Sequence, residues 1–238
     1  DFCLSRGLGD VYKRQVNDST DYQVYNNSAQ QDASTEAVRE TAGEVLKYKG
    51  NIVTTYYYST SCGKTTTMKA WGTSENESNG YLQSVEVKDK KGDYEKSLPW
   101  YRWEADIDQD ILSTLLAENV KKNIGTVQSL EVTKTGPGGV ALQIKAVGDK
   151  GSITVDTENK IRKALGGNGY EIKKQDGTVA QSGTLLPSAF FKVKKAGNIF
   201  KITGGGYGHG IGMSQNGANE MAKTGKNYQE ILQMFYPG

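Results

Sequence analysis

Glycine fills at least every second position between residues 204 and 212, and this run constrains the fold more than any other stretch. Glycine costs backbone entropy, so such a run is either a flexible linker or a tight backbone path that passes close to a ligand. The interleaved Tyr207, His209 and Ile211 are not typical of linkers, and a helix is predicted directly after the run. We therefore interpret the run as a tight path that presents a few polar groups to a ligand.

The composition is that of an ordinary folded protein. The 238 residues carry a net charge of +2, with 36% hydrophobic and 24% charged residues, which suits one large domain or two small ones. The near-neutral charge does not indicate nucleic-acid binding, and no apolar run is long enough to cross a bilayer. Fourteen tyrosines against five phenylalanines favour half-exposed aromatic surfaces, which are typical of sheets and of carbohydrate grooves.

Residues 1–15 show neither an amphipathic period nor the layout of a signal peptide. The letters DVYKRQ at positions 10–15 resemble the translated end of a transposon adapter used to build sequencing libraries. We exclude 1–15 from the fold as a sequencing-adapter artefact and expect the natural protein to begin upstream of Val16. Cys3 lies in this segment, which argues against a disulfide between Cys3 and Cys62.

A second polar cluster follows a predicted helix and hairpin. The helix is predicted from Glu36 to Gly43, and the strands over 44–48 and 52–58, the second of which leads into the letters STSCGKTTT. Each hydroxyl alone is typical of a solvated turn, whereas the set favours a hydrogen-bonding wall for a polar ligand. A Cys62 nucleophile assisted by His209 is a further hypothesis, set against a buried structural cysteine.

The remaining pattern predicts an α+β fold. A strand is predicted over 81–87, a helix over 106–123, a meander over 127–156, a short helix ending near Gly166, and strands over 190–194 and 198–203. Ser214 and Asn227 are predicted helix N-caps, the latter in a capping box with Glu230. We predict outer parts at 16–105 and 196–238, a β-rich insertion at 106–195, and a groove between these subdomains.

Several motifs resemble the stage II sporulation protein D family, which includes amidase-enhancer domains. Residues 206–218 read GYGHGIGMSQNGA and residues 224–238 read TGKNYQEILQMFYPG, both similar to the family's C-terminal signature. The hairpin and its hydroxyl-rich end, Trp71-Gly72, Tyr81-Leu82, 161–166 and 185–190 match in the same order. The resemblance covers 16–238, and its glycine–histidine motif is highly specific.

The resemblance implies a lytic transglycosylase that acts on peptidoglycan glycan strands stripped of their stem peptides. Such an enzyme needs one carboxyl group, which protonates the glycosidic oxygen and then takes the proton of the sugar's 6-hydroxyl as an anhydro ring closes. In the family this group is a glutamate expected upstream of Val16, and none of Glu44, Glu86 and Glu104 matches its position. We therefore expect this chain to lack the catalytic glutamate and to be inactive.

The two polar stretches supply the predicted substrate-binding residues, which are Ser59, Ser61, Lys64, Tyr207, His209, Ser214 and Gln215. For His209 a purely structural role, holding the loop through a backbone bond, is an equal alternative. Some relatives bind zinc through His and Cys residues where this chain has Asp21 and Tyr22, so we predict no metal site. No cofactor is expected.

The resemblance also implies the surroundings of the protein. We expect peptidoglycan glycan strands, an amidase and engulfment membrane proteins as partners, no nucleic acid, and contact with the membrane only through an N-terminal anchor that is missing here. The expected location is the extracytoplasmic face of the cell membrane, between mother cell and forespore in a spore former. Two other interpretations stay open, a non-catalytic cell-wall-binding amidase-enhancer module and a thiol hydrolase built on Cys62 and His209.

Overall fold

The computed structural model describes residues 29–238, which have an α+β fold, as predicted. The chain divides into two compact units, the first ending at Thr54 and the second running from Thr55 to Gly238. The predictions for 1–15, for Cys3 and for Asp21 and Tyr22 lie outside the described residues.

The described part of the first unit holds one helix and one short hairpin. Helix α1 spans Asp32–Glu40, and strands β1 (Lys47–Tyr48) and β2 (Asn51–Ile52) pair in antiparallel fashion. The predicted helix start at Glu36 was wrong, because the backbone bond from Thr35 to the Gln31 carbonyl already closes the first turn. The helix also ends before the predicted Gly43, which lies in a turn with positive φ.

The second unit contains most of the regular structure. Its strands are β3 (Tyr57–Tyr58), β4 (Lys88–Asp89), β5 (Gly92–Asp93), β6 (Trp103–Asp108), β7 (Val127–Thr135), β8 (Ala141–Gly148), β9 (Gly151–Asp156), β10 (Glu171–Lys174), β11 (Val179–Gln181), β12 (Phe191–Ala196), β13 (Ile199–Gly204) and β14 (Met213–Ser214). Its helices are α2 (Gln109–Val120), α3 (Glu158–Leu165), α4 (Gln215–Lys223) and α5 (Tyr228–Phe235).

A five-stranded antiparallel sheet, in the order β11-β10-β6-β13-β12, is the largest sheet of the described residues. Alternation along β6 and β13 buries Ala105, Ile107, Phe200 and Ile202 on one face and leaves polar residues on the other. Residues 106–108 extend β6, because they pair with β13, so the helix predicted from position 106 begins only at Gln109.

This sheet contains strands from the predicted insertion and from the predicted outer parts, with β6 crossing position 105/106. The boundaries of the insertion stay a prediction.

The predicted meander is confirmed as the three-stranded sheet β7-β8-β9, against which α2 and α3 pack. Leu112 and Leu116 from α2, Ile161 from α3 and Ile144 from β8 are fully buried in this core. Asp108 caps α2, its side chain accepting a bond from the Asp110 amide at 2.8 Å.

The C-terminal predictions for α4 and α5 are confirmed, with Ser214 as the N-cap of α4 and an Asn227–Glu230 capping box on α5. Two strand predictions were wrong. The strand predicted over 52–58 is broken, because β3 pairs in parallel with β14 rather than continuing β2. The strand predicted over 81–87 is absent, since Tyr81 and Leu82 are buried in a turn and only Glu86 makes an isolated bridge, to Lys64.

Within residues 29–238 no helix has both the length and the apolar character needed to cross a membrane. In the same range, no three His, Cys, Asp or Glu side chains are grouped so that they could hold a metal ion.

Candidate functional site

The glycine run lies directly against the hydroxyl-rich segment that follows β3. Thr60 and Tyr207 exchange two backbone hydrogen bonds of 3.1 and 2.8 Å, and β14 pairs with β3 just beyond them. Asn216 adds a backbone bond to the Ser59 carbonyl at 3.0 Å. The two stretches that the sequence singles out are therefore neighbours, although some 150 positions of chain separate them.

Glycine is required in this run because the backbones approach too closely for a side chain. At Gly212, where φ is +75°, a Cβ atom would lie 2.1 Å from the Tyr56 carbonyl oxygen. At Gly208, where φ is +119°, it would lie 2.7 Å from the Tyr58 Cβ. The close approach seen at these glycines is therefore one between segments of the protein itself, whereas the predicted approach to a ligand stays a prediction.

A buried carboxyl group, Glu95, ties these segments together. Its Oε1 accepts hydrogen bonds from the Ser61 amide at 2.9 Å and from the Ser214 hydroxyl at 2.7 Å, while Oε2 accepts one from the Ser61 hydroxyl. Burial raises the pKa of Glu95, and the bonds from Ser61 and Ser214 oppose this shift. Sequence reasoning missed Glu95, because it stands in a charged stretch that is typical of a solvated turn.

Both ring nitrogens of His209 are bonded to backbone groups. The Ile211 amide donates to Nδ1 at 3.1 Å, so Nε2 carries the proton and donates to the Tyr57 carbonyl at 2.9 Å. The ring lies against Trp71 and Tyr58, with centroids 5.0 and 5.5 Å apart, and burial lowers the pKa of His209 to about 4. This geometry matches the alternative of a histidine that holds the loop.

The thiol-hydrolase hypothesis finds no support in this arrangement. Both ring nitrogens of His209 are hydrogen-bonded to the backbone of Tyr57 and Ile211, so neither is available to act as a base toward Cys62. Burial also raises the pKa of the Cys62 thiol, although the nearby Arg102 opposes this, whereas a catalytic thiol needs a lowered pKa.

An open groove of about 910 Å³ lies on the outward face of the five-stranded sheet. Its floor is a row of paired outward positions, Lys173 on β10, Glu104 on β6, Thr203 on β13 and Lys192 on β12. Further lining residues come from the segment after β3, the β4–β5 hairpin and the turn before β8; they include Cys62, Gly63, Lys64, Glu86, Lys88, Asp93, Arg102, Gly138 and Gly139.

The charges of the groove are unequal. Six cationic and three anionic side chains line it. Glu86 lies 3.5 Å from Lys64 and 2.5 Å from Lys88, and Glu104 lies 3.9 Å from Lys173. The remaining lining cations are Arg102, Lys174 and Lys192, and none of them has an ion-pair partner in the described part of the chain.

An aromatic pair, the half-buried Trp100 and the exposed Tyr207, adjoins the groove, since the Trp100 ring lies 5.0 Å from Nζ of the lining residue Lys174. The rings of Trp100 and Tyr207 have centroids 4.8 Å apart, and Tyr207 is 42% exposed. The Gly206 amide donates to the Trp100 carbonyl at 2.8 Å and so fixes the two segments together. Such a half-exposed aromatic surface is a suitable platform for a sugar ring.

The predicted substrate-binding residues have different environments. Lys64 lines the groove, Tyr207 is exposed beside Trp100, and Gln215 is exposed at the start of α4. Ser61 and Ser214 are buried on Glu95, which makes them part of the framework. The half-buried Ser59 hydroxyl is hydrogen-bonded to the Thr60 hydroxyl, and the His209 ring is hydrogen-bonded to the Tyr57 carbonyl. Substrate contact by these residues stays a prediction.

A family model described as "Domain of unknown function (DUF8618)" matches residues 59–212. The matched segment begins at the hydroxyl-rich turn and ends at the last glycine of the run, and it contains Glu95 and the sheet beneath the groove. The chain belongs to the DUF8618 family. All residues that line the groove, and Glu95 with Ser61, therefore belong to the matched segment, whereas Ser214 lies just beyond it.

Relatives of this DUF8618 protein confirm the expected membership of the stage II sporulation protein D family. The amidase enhancer of Bacillus subtilis is 28% identical over 94% of this chain, which covers 34% of that relative. Stage II sporulation protein D of Bacillus subtilis is 31% identical over 86% of this chain, and the match covers 49% of that relative. An uncharacterized protein of Brachyspira hyodysenteriae is 31% identical over 94% of this chain, and the match covers 52% of that relative. The chain thus spans about half, or less, of these relatives.

Proposed function

We propose that the protein remodels peptidoglycan as a sporulation-type lytic transglycosylase, and that the described groove binds the glycan strand. The observation that carries this proposal is the open groove beside the Trp100–Tyr207 platform, in a chain of this family. An elongated sugar polymer needs an open, polar groove with aromatic surface for its ring faces.

The described residues are proposed to bind the glycan rather than to protonate it. Glu86 is a poor proton donor, because the bond from Lys88 lowers its pKa. Glu104 is paired with Lys173, and Asp93 accepts a hydrogen bond from the Tyr101 hydroxyl. Glu95, despite its raised pKa, is buried with both oxygens engaged. Proton donation is therefore proposed for the glutamate that the resemblance places before Val16, and we expect no anhydro-sugar products from the 238-residue chain.

A non-catalytic, wall-binding amidase-enhancer module is the second candidate. It is favoured by the relative named amidase enhancer and by the lack of a suitable acid among the described groove residues. Both candidates require glycan binding. A glutamate-to-glutamine variant of the natural protein distinguishes them. The transglycosylase should release anhydro-sugar products and lose this activity in the variant, whereas the module should release none in either form.

The proposed partners and location follow from the substrate. Peptidoglycan lies outside the cytoplasmic membrane, so we propose action on the extracytoplasmic face, with an N-terminal anchor in the natural protein. An amidase that removes stem peptides is proposed to act before this protein, alongside engulfment membrane proteins.

Binding of purified, peptide-stripped glycan strands by the 238-residue chain tests the proposal. We expect Tyr207→Ala to weaken binding about tenfold, since it removes half of the aromatic platform. Tyr228→Ala is the matched control, because Tyr228 on α5 is 45% exposed, close to the 42% of Tyr207. A chain that binds no glycan, or equal binding by both variants, would contradict the proposed groove.

A further inference from the structure

We infer that the groove selects glycan strands by charge, with Arg102, Lys174 and Lys192 binding the carboxylates that the strand bears once its stem peptides have been removed. The inference rests on the proposed function and deepens it. In an intact strand the lactyl carboxyl of each muramic acid is bound in an amide to the peptide and carries no charge. Hydrolysis of that amide by an amidase leaves a free carboxylate on every second sugar.

Arg102 is held in place without being neutralised. Its Nη1 donates to the carbonyls of Tyr101 at 2.7 Å and Cys62 at 3.0 Å, and its guanidinium lies 3.9 Å from the centre of the Tyr101 ring. No carboxylate in residues 29–238 lies within ion-pair distance of Arg102. A guanidinium fixed along one edge keeps its other N–H groups for a planar anion, and a carboxylate matches that fork.

Lys174 and Lys192 extend the positive charge on both sides of the floor. Lys174 Nζ lies 5.0 Å from the centre of the Trp100 ring, beside the aromatic platform. Lys192 lies on β12, at the far side of the floor row. A sugar stacked on Trp100 therefore has a cation within reach of its substituents, and a second cation is available further along the groove.

The unpaired cations explain why a neutral ligand is a poorer match. Lys64 and Lys88 share the single carboxylate of Glu86, and Lys173 pairs with Glu104. Arg102, Lys174 and Lys192 have no ion-pair partner among the described residues, so an anionic ligand can supply one. A strand with its peptides attached lacks the free carboxylates and also brings bulk to the same positions.

The decisive measurement compares the affinity of the 238-residue chain for two preparations of one glycan. The first is peptide-stripped glycan, and the second is the same material with its carboxyl groups reduced to alcohols. We expect reduction to weaken binding at least about tenfold, as for the loss of a charge-assisted pair.

Matched lysine variants locate the effect. Lys192→Gln is expected to weaken binding of stripped glycan about threefold to tenfold and to leave binding of reduced glycan unchanged. Lys194→Gln is the control, because Lys194 is the next outward residue of β12 but does not line the groove. Arg102→Lys keeps the charge, loses the fork, and is expected to weaken binding of stripped glycan only.

The outcomes separate this inference from the proposed function. Equal affinity for stripped and reduced glycan overturns the charge selection and leaves glycan binding intact. Binding of neither preparation overturns both proposals. Equal effects of Lys192→Gln and Lys194→Gln overturn the assignment to the groove. If an Arg102 variant fails to fold, the lysine pair and the reduced glycan still decide, because neither depends on that residue.

Discussion

Glu95 shows how a single side chain holds the site together. It is buried, and its oxygens accept from Ser61 on one segment and from Ser214 on the other. A carboxylate in such a place is stabilising only because every bond is made, since a lost partner leaves buried donors unsatisfied.

Replacing Glu95 should therefore destabilise the fold. We expect Glu95→Ala to lower the free energy of unfolding by about 3 kcal/mol, and Glu95→Gln, which keeps an acceptor for the Ser61 amide, by about 1 kcal/mol. Glu131→Ala, at an exposed position of β7, is the control and should stay within about 0.5 kcal/mol. Urea unfolding measures all three, and an alanine effect at Glu95 no larger than the control would contradict the role.

His209 predicts a pH dependence of stability. Its pKa is about 4 in the fold, below the ordinary value of 6.5, so between these values the unfolded chain binds more protons than the native one. Stability from His209 is complete above pH 6.5 and is lost as pH falls toward 4, by at most about 3 kcal/mol.

The difference in unfolding free energy between the wild type and His209→Gln isolates this contribution. It should shrink between pH 7 and pH 4, and His209 is the one histidine of the 238 residues, so no other imidazole titrates. Glu95, whose pKa is raised, acts in the opposite direction in both proteins and cancels in the difference. A difference that does not change with pH would show that His209 is not held neutral.

At the scale of elements, the glycine run is a connector between β13 and α4. Its backbone groups bond to Trp100, to Thr60 and Thr66 of the hydroxyl-rich segment, and to Pro187, so it joins three segments that are distant along the chain. The motif pieces at 161–166 and 185–190 meet here as well, since Arg162 donates to the Leu186 carbonyl at 2.7 Å.

A pair of alanine variants separates close approach from backbone strain. Gly212 and Gly225 both have positive φ, but a Cβ at Gly225 meets nothing within 4 Å, whereas at Gly212 it would collide with the Tyr56 carbonyl. We expect Gly225→Ala to cost about 1 kcal/mol of unfolding free energy and Gly212→Ala about 3 kcal/mol or more. Equal effects in thermal or urea unfolding would mean that the backbone approach at Gly212 can relax.

At the scale of the whole molecule, the outward face of the central sheet becomes a charged groove. Sheet pairing aligns Lys173, Glu104, Thr203 and Lys192 in one row, and the loops add more cations than anions. The net charge of the chain is only +2, so the excess in the groove is a local feature.

Salt should therefore weaken glycan binding through this local charge. Raising the ionic strength from about 0.05 M to about 0.5 M shortens the Debye length severalfold, and we expect a fall of about tenfold in affinity for stripped glycan. Binding of carboxyl-reduced glycan should change little over the same range. Parallel titrations at the two salt concentrations check this, and equal salt dependence of both ligands would contradict it.

The sequence by itself determined the features that depend on near neighbours or on specific motifs. The meander, the Ser214 and Asn227 caps and the family resemblance belong to this class, because alternation, capping side chains and glycine spacing are local patterns. The glycine spacing also indicated a tight backbone path, since only glycine tolerates such an approach, but the partner predicted for that path was a ligand and not another segment of the protein.

Only the tertiary structure decided which side chains and strands become partners where the segments approach each other. Ser61 and Ser214 bond to the buried Glu95, and Tyr57–Tyr58 pair with β14 instead of continuing the predicted hairpin. These partners are distant along the chain, and burial makes such hydrogen bonds necessary because an unsatisfied buried polar group is costly. The unpaired state of Arg102 was equally invisible in the sequence. An ion pair depends on which side chains come within about 4 Å after folding, and no spacing along the chain encodes that distance.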